Sequence, residues 1–183
     1  MSTLMARTGG HLGNVKPRNF LVCDGKGVNP VMARKYKLPD FLNGVITQGV
    51  YERWLHRKAV VHVRRDRRRC NKAATNEAYK LAIHKAVTES AGQDSYTGEQ
   101  LDWHLVSQYD NAQSKANRRQ YKAQFALLPT ADHVNDGLGP ADFQICAWRT
   151  NDAKNDLPLD EFIALCRRVI DHQDKPRHTG EDD

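Results

Sequence analysis

Apolar residues recur at helical spacing in three stretches of the chain. Over residues 48–70 (QGVYERWLHRKAVVHVRRDRRRC), Tyr51, Trp54, Leu55 and His62 line one side of a predicted helix, with arginines elsewhere and the β-branched Val60, Val61 and Val63 weakening its propensity. A second helix is predicted between Thr75 and Gly92, where Tyr79, Ala82, Ile83 and Ala86 follow the i, i+3, i+4, i+7 rule. Gly92 stands where a C-terminal cap belongs, and His84 is expected on the surface. The third runs from Leu159 to about His172, with Leu159, Phe162, Ile163, Cys166 and Ile170 as its expected buried stripe. Asp160 and Glu161 in its first turn and Arg167 and Arg168 near its end complement the helix dipole. Leu101, Trp103 and Leu105 alternate after a turn at Thr97-Gly98, which predicts a strand or extended arm.

Between these helices lies a different pattern. Phe125-Ala-Leu-Leu-Pro-Thr is short, apolar and limited by proline, as an edge strand is. Asn135-Asp136-Gly137 and Gly139-Pro140 are turn signals, and Phe143 to Trp148 reads as a second strand with Phe143, Ile145 and Ala147 on one face. Thr150 is placed to cap a helical turn that carries Asn151, Lys154 and Asn155. Strand, loop, strand and helix would bring Asp132 and His133, at the end of the first strand, to Asn151, forming an oxygen-rich pocket beside an imidazole. Adjacent residues of a regular strand point to opposite faces, so a twist or bulge is expected where Asp132 and His133 serve one site.

These residue types suit the cutting of a phosphodiester, which needs a base for water and a cation for the charge on phosphorus. A neutral imidazole at His133 can take a proton near neutral pH. Asp132 and Asn151 offer hard oxygen ligands suited to Mg²⁺ or Mn²⁺, leaving positions for water and phosphate oxygens. Lys154, Arg149 and Lys122, in that order, are the candidates for clamping the phosphate.

Asp132-His133, Asp142-Phe143 nine residues before Asn151, and the run Asn151-x-x-Lys154 together resemble the HNH nuclease family. That family has an Asp-His pair, a middle Asn, and a final His or Asn followed by x-x-Lys. Tyr96-Thr97-Gly98-Glu99-Gln100-Leu101 is similar to the segment that precedes its first strand, so the resemblance spans residues 94–171. It departs at Asp142, where the family has Asn: a carboxylate accepts backbone hydrogen bonds and can pin the loop, but cannot donate as an amide does. The resemblance implies an α+β protein with a C-terminal ββα-metal domain behind a helical, basic N-terminal half. It implies catalytic roles for His133, Lys154 and Arg149, metal ligands at Asp132 and Asn151, and hydrolysis of duplex DNA to 5′-phosphate and 3′-hydroxyl ends.

Charge adds to this reading. Of the 28 Lys and Arg against 22 Asp and Glu, which give +6, the stretch Tyr51 to Cys70 holds eight basic residues and two acids, itself a local +6. Arg64, Arg65, Arg67, Arg68 and Arg69 there, and Lys115, Arg118, Arg119 and Lys122 just before the first strand, are the expected nucleic-acid contacts. A solvated helix face is the alternative for the arginines. Cys23, Cys70, Cys146 and Cys166 show no zinc spacing, and Ala147 and Thr150 stand where a second cysteine pair of a zinc ribbon would fall, so no structural zinc is expected. Scattered thiols and no long apolar run place the expected chain in the cytoplasm and off the membrane.

The expected organisation is an irregular arm over 1–46, in which Lys16, Arg18, Lys35 and Lys37 could meet phosphate, and a basic helical region over 47–92. An HNH-like nuclease domain over 93–173 and a disordered tail over 174–183 follow. The leading function is a metal-dependent endonuclease. Its alternatives are a non-catalytic nucleic-acid-binding protein on a degenerate HNH scaffold and a basic structural protein that binds RNA. Oligomeric state is left open.

Overall fold

Thr47 starts the first helix: its hydroxyl oxygen accepts a hydrogen bond from the Val50 amide (3.3 Å), and α1 runs Gln48–Arg68. Thr75 does the same for Ala78 (3.2 Å) at the head of α2, Asn76–Ser90, which ends on Ala91 in the left-handed region (φ 49°) followed by Gly92 (φ 87°). Asp110 caps α3, Asn111–Gln124, through the amides of Ala112 and Gln113. Then come β1, Pro129–His133, β2, Phe143–Ala147, α4, Trp148–Lys154, and α5, Leu159–Gln173. These assignments come from a computed structural model that describes residues 34–175, of which those from Tyr36 on form one compact unit. Lys16, Arg18, the apolar run at Phe20 and the end of the tail lie outside the described residues.

The protein is α+β: five α-helices among the described residues and one antiparallel hairpin, β1 against β2, with Pro129 opposite Ala147 and His133 opposite Phe143. α1 packs on α2 and α2 on β2. Tyr51, Leu55, Ala59, Ile83, Val87, Ile145 and Ala147 are fully buried between them, and Leu42, Trp54, Trp103 and Phe143 close the same core. Each large side chain removed from water here contributes roughly 1.5–3 kcal/mol. The stripe read on α1 is therefore the core itself, and Val60 and Val61 fall on its exposed side.

Several expectations shift. The first strand begins at Pro129, four residues later than predicted, because Phe125 ends α3 and packs with Tyr109 and Tyr121, and Ala126–Leu128 turn back. The segment around Leu101 is no strand: a single bridge joins Gln93 to Gln100, and Trp103–Leu105 make one 3₁₀ turn whose Trp103 is buried. α4 starts at Trp148, so Thr150 lies inside it and donates its hydroxyl to Asp94 rather than capping. His84 is half-buried, hydrogen-bonded to the Tyr51 hydroxyl at 2.6 Å. The largest correction is α5, which forms as predicted while none of its residues is buried. Its amphipathic stripe is present, and the unit does not cover it.

Candidate functional site

Asp132 and His133 leave β1 on opposite sides. The register runs from Pro129 to His133 without a bulge, so the expected bulge does not form and the pleat sends alternate side chains apart. On one side Ala131, His133, Phe143 and Ile145 face α1 and α2; on the other, Thr130, Asp132 and Gln144 face Lys58, Tyr96 and α4. Both residues nevertheless border one groove of about 910 Å³ at the open end of the hairpin, together with Arg65, Arg69, Asn151 and Lys154.

Asp132 sits in a charged setting. Its Oδ2 accepts from the Tyr96 hydroxyl at 2.5 Å and lies 3.1 Å from Lys154 Nζ, while Gln144, directly across the sheet, donates to the Tyr96 oxygen. Burial and the bond to Asp132 push the Tyr96 phenol well above its ordinary range, so it stays a donor. Tyr96 is placed by Asp94, a buried carboxylate whose Oδ1 accepts from the Tyr96 amide (2.8 Å) and whose Oδ2 accepts from Ala147 N and Thr150 Oγ1 (3.0 and 2.7 Å). One carboxylate thus ties the Tyr96 segment to the start of α4 and to the end of β2. Asn151 is half-buried on α4 and borders both this groove and a neighbouring one of about 590 Å³ that contains Lys58, His62 and Thr130. Lys58 donates to Thr130 Oγ1 at 2.7 Å, and burial lowers its ammonium to about 8.

His133 sits among rings. His62 and Tyr79 meet it edge-on at 5.0 and 6.1 Å between centroids, and Phe143 lies tilted against it at 4.4 Å. The residue is 8% exposed. Its Nε2 is 2.9 Å from Oδ2 of Asp66, but the geometry is not that of a hydrogen bond, and the contact is one of charge and proximity. Asp66 is fully buried; it accepts from the Tyr79 hydroxyl (2.8 Å) and Arg65 Nε (3.3 Å). Burial lowers the His133 pKa, opposed by Asp66, so the ring is neutral near pH 7. His62 is lowered further, to about 3, by burial and by Arg65, whose guanidinium lies 3.2 Å from His62 Nδ1 and requires that nitrogen to accept.

Asn71 holds the loop between the strands. Its Nδ2 donates to the carbonyls of Gly137 (2.8 Å) and Gly139 (2.9 Å), drawing the loop over Asp66 and His133. Gly137 has φ +76°, and a Cβ there would come within 3.1 Å of Asp66 Oδ1 and 3.2 Å of His133 Nε2, so the close approach requires glycine. Asp142 is exposed and takes part through its backbone, whose carbonyl accepts from Val134 N at 3.3 Å and which also bonds the His133 ring.

The remaining cations divide. Arg65 and Arg69 border the groove, Arg67 Nε donates to the Ala74 carbonyl (2.8 Å), and Arg64 and Arg68 are exposed. Arg149 is not brought to Asp132: it pairs with Glu99 on the surface and borders a separate basic groove of about 980 Å³ with Lys115, Arg119 and Lys122. Arg118 shares their helix, and Lys122 Nζ lies 5.7 Å from the centre of the Trp148 ring. Asp152 borders both grooves, so the basic one flanks the Asp132 groove across α4.

Asp66, Asn71, Lys58, Tyr96 and Asp94 carry this geometry without having been read as site residues. Asp66 had a signal: it is the only acid among the arginines, four residues after the buried His62 and so on the same helix face. Among the described residues no group of three or more His, Cys, Asp or Glu is arranged to hold a metal. Asp132 and Asn151 supply one carboxylate and one amide oxygen beside an open groove. That hard, sparse donor set fits a hydrated Mg²⁺ or Mn²⁺ completed by phosphate oxygens. Compared with known proteins, the chain matches no family model, no curated protein and no solved structure.

Proposed function

We propose that the protein is a metal-dependent endonuclease of the ββα-metal kind, acting on duplex DNA. The observation that carries this reading is the gathering of Asp132, His133, Asn151 and Lys154 around one groove by a hairpin and the helix that directly follows it. Cationic Arg65 and Arg69 on the rim supply the attraction for a phosphate backbone.

Asp132 and Asn151 would hold the divalent ion, which when bound supplies Lewis-acid stabilisation of the leaving 3′-oxygen. Neutral His133 takes the proton from water as the water oxygen bonds to phosphorus; the bond from phosphorus to the 3′-oxygen breaks and that oxygen takes a proton from solvent, leaving 5′-phosphate and 3′-hydroxyl ends. Asp66, 2.9 Å from the ring, stabilises the imidazolium that results. Tyr96 keeps the Asp132 carboxylate oriented, and Lys154, 3.1 Å from Asp132, is within a side-chain swing of an incoming phosphate.

Supercoiled plasmid incubated with the purified protein and Mg²⁺ or Mn²⁺ should be nicked, and the ends should carry 5′-phosphate. An absence of nicking with either metal, by protein that binds the plasmid, would refute the reading.

One observation favours a second reading, a non-catalytic nucleic-acid-binding protein. His133 is only 8% exposed, with its Nε2 between Asp66 and Gly137, and Lys154 already neutralises Asp132. That reading expects binding that is indifferent to divalent metal. Among the described residues no helix is long and apolar enough to cross a membrane.

A further inference from the structure

α5 presents an apolar stripe to solvent. Leu159, Ile163 and Ile170 are 46%, 41% and 57% exposed, and Val169 is 53% exposed. With Cys166, also exposed, the stripe residues Leu159, Ile163, Cys166 and Ile170 recur at intervals of four, three and four, the spacing of a two-stranded helical seam rather than of a surface helix lying on a broad core. The two flanks of this seam differ. Asp160 and Arg167 occupy equivalent positions on one side, and Phe162 and Val169 occupy equivalent positions on the other. The stripe itself, through Leu159, Ile163, Cys166 and Ile170, forms one wall of an open cleft of about 710 Å³ that Thr97, Thr150 and Ala153 border on the other side, so there is room against it for an apolar occupant.

We infer that α5 is a self-association surface, on which α5 of a second copy of this chain packs antiparallel. The charges choose both the occupant and the direction. With Leu159 opposite Ile170 of the partner subunit and Ile163 opposite Cys166 of the partner subunit, the seam maps onto itself under a two-fold axis. Like flanks then face each other, so Asp160 meets Arg167 of the partner subunit twice, once in each half, and Phe162 meets Val169 of the partner subunit. A parallel pair would instead set each charged flank against an apolar one. An unrelated partner would have no reason to match an acid and a base placed one heptad apart on the same side. The inference does not rest on the nuclease reading, although Leu159 and Asp160 also border that groove.

Sedimentation of the full chain at micromolar concentration should give the mass of a dimer. Ile163→Asp should give a monomer with unchanged helical circular dichroism, because the position is exposed in the single chain. Arg167→Asp should weaken association at least about tenfold, and the swapped double variant Asp160→Arg/Arg167→Asp should restore it. Ile163→Cys, in a background with Cys23 and Cys70 replaced by Ser, should form an inter-chain disulfide with Cys166 on oxidation. A wild-type chain that remains a monomer would overturn the inference. So would a dimer that survives Ile163→Asp, or a charge swap that fails to restore it. A wild-type monomer whose melting temperature falls with Ile163→Asp would assign the stripe to a cover within the same chain, and would overturn it as well.

Discussion

The two faces of the β-hairpin hold their ionisable groups in opposite ways. Toward α1 and α2, His133 and His62 are kept neutral among aromatic rings, and the one carboxylate, Asp66, is fully buried with Tyr79 and Arg65 as donors. Toward α4, Asp132 and Lys154 form a charge pair at the wall of an open groove, tuned by one phenol. The lesson is a division of labour imposed by the pleat. Burial is alike on both, with His133, Asp132 and Lys154 at 8%, 8% and 7% exposure, and the faces differ in how charge is handled: the face toward α1 and α2 keeps its imidazoles neutral, and the α4 face pairs a carboxylate with an ammonium. The groove at the end of the hairpin is where both faces are reached together.

The largest effect should come from separating the two at the level of chemistry. His133→Ala should lower nicking by about a thousandfold while a calorimetric titration still finds the metal site, with the denaturation midpoint recorded to confirm folding. Asp132→Ala should lose nicking and metal affinity together, and Asn151→Ala should behave like Asp132→Ala in milder form. Metal binding that survives both ligand variants would move the ion away from this face.

Stability should test both faces next. Asp66→Ala strands the buried Tyr79 hydroxyl and removes the charge beside His133, so it should cost about 3 kcal/mol in urea denaturation. Lys154 and Asp132 are themselves only 7% and 8% exposed, so Lys154→Met, which keeps the stem packed but leaves the carboxylate with Tyr96 alone, should cost a similar amount, about 3 kcal/mol. A cost of about 1 kcal/mol or less for Lys154→Met would mean that groove water solvates Asp132 in place of the lysine.

Acid should act first on the face toward α1 and α2. A histidine whose folded pKa is depressed contributes stability that is fully present above its unfolded pKa, and this is lost as pH falls below it. For His62, held at about 3 in the folded protein, lowering the pH from neutral to about 4 should remove roughly 3 kcal/mol. His133 should add to the loss in the same direction. A His62→Phe variant, whose ring cannot charge, should flatten this part of the profile; an unchanged profile would shift the cause to other groups.

The smallest effect concerns the rim, which belongs to neither face. Replacing Arg64, Arg68 and Arg69 with Gln should flatten the dependence of log K on log salt by about one unit per lost phosphate contact. An unchanged slope would make these arginines a solvated face.

Much of the local structure was legible. The i, i+3, i+4 stripes located α1, α2 and α5, because a helix must collect its apolar residues on one side whatever it packs against. The strand β2 and its core-facing Phe143, Ile145 and Ala147 followed from alternation. The start of β1 did not, since an apolar run such as Phe125 to Leu128 satisfies a turn packed against Tyr109 as well as it satisfies a strand. Asp132, His133, Asn151 and Lys154, which border one groove, were singled out by their spacing. Asp66, Asn71 and Asp94 were not, because each acts on residues distant along the chain: Asn71 on Gly137, Asp94 on Thr150, Asp66 on His133.

The sequence by itself determined where α1, α2, α5 and β2 arise, that the class is α+β, and which donor-bearing side chains of the hairpin and α4 come to one groove; these follow from local periodicity and from spacing along the chain. Only the tertiary structure decided what covers each stripe. Tyr51, Trp54 and Leu55 of α1 are buried by α2 and the hairpin, while the equally regular stripe of α5 is left exposed. Periodicity records that a face is apolar, and burial depends on which other surface reaches it in space. The tertiary structure likewise decided that His133 is neutral and Asp132 paired, because a pKa is set by neighbours through space, and the carboxylate nearest the histidine ring nitrogen comes from the end of α1.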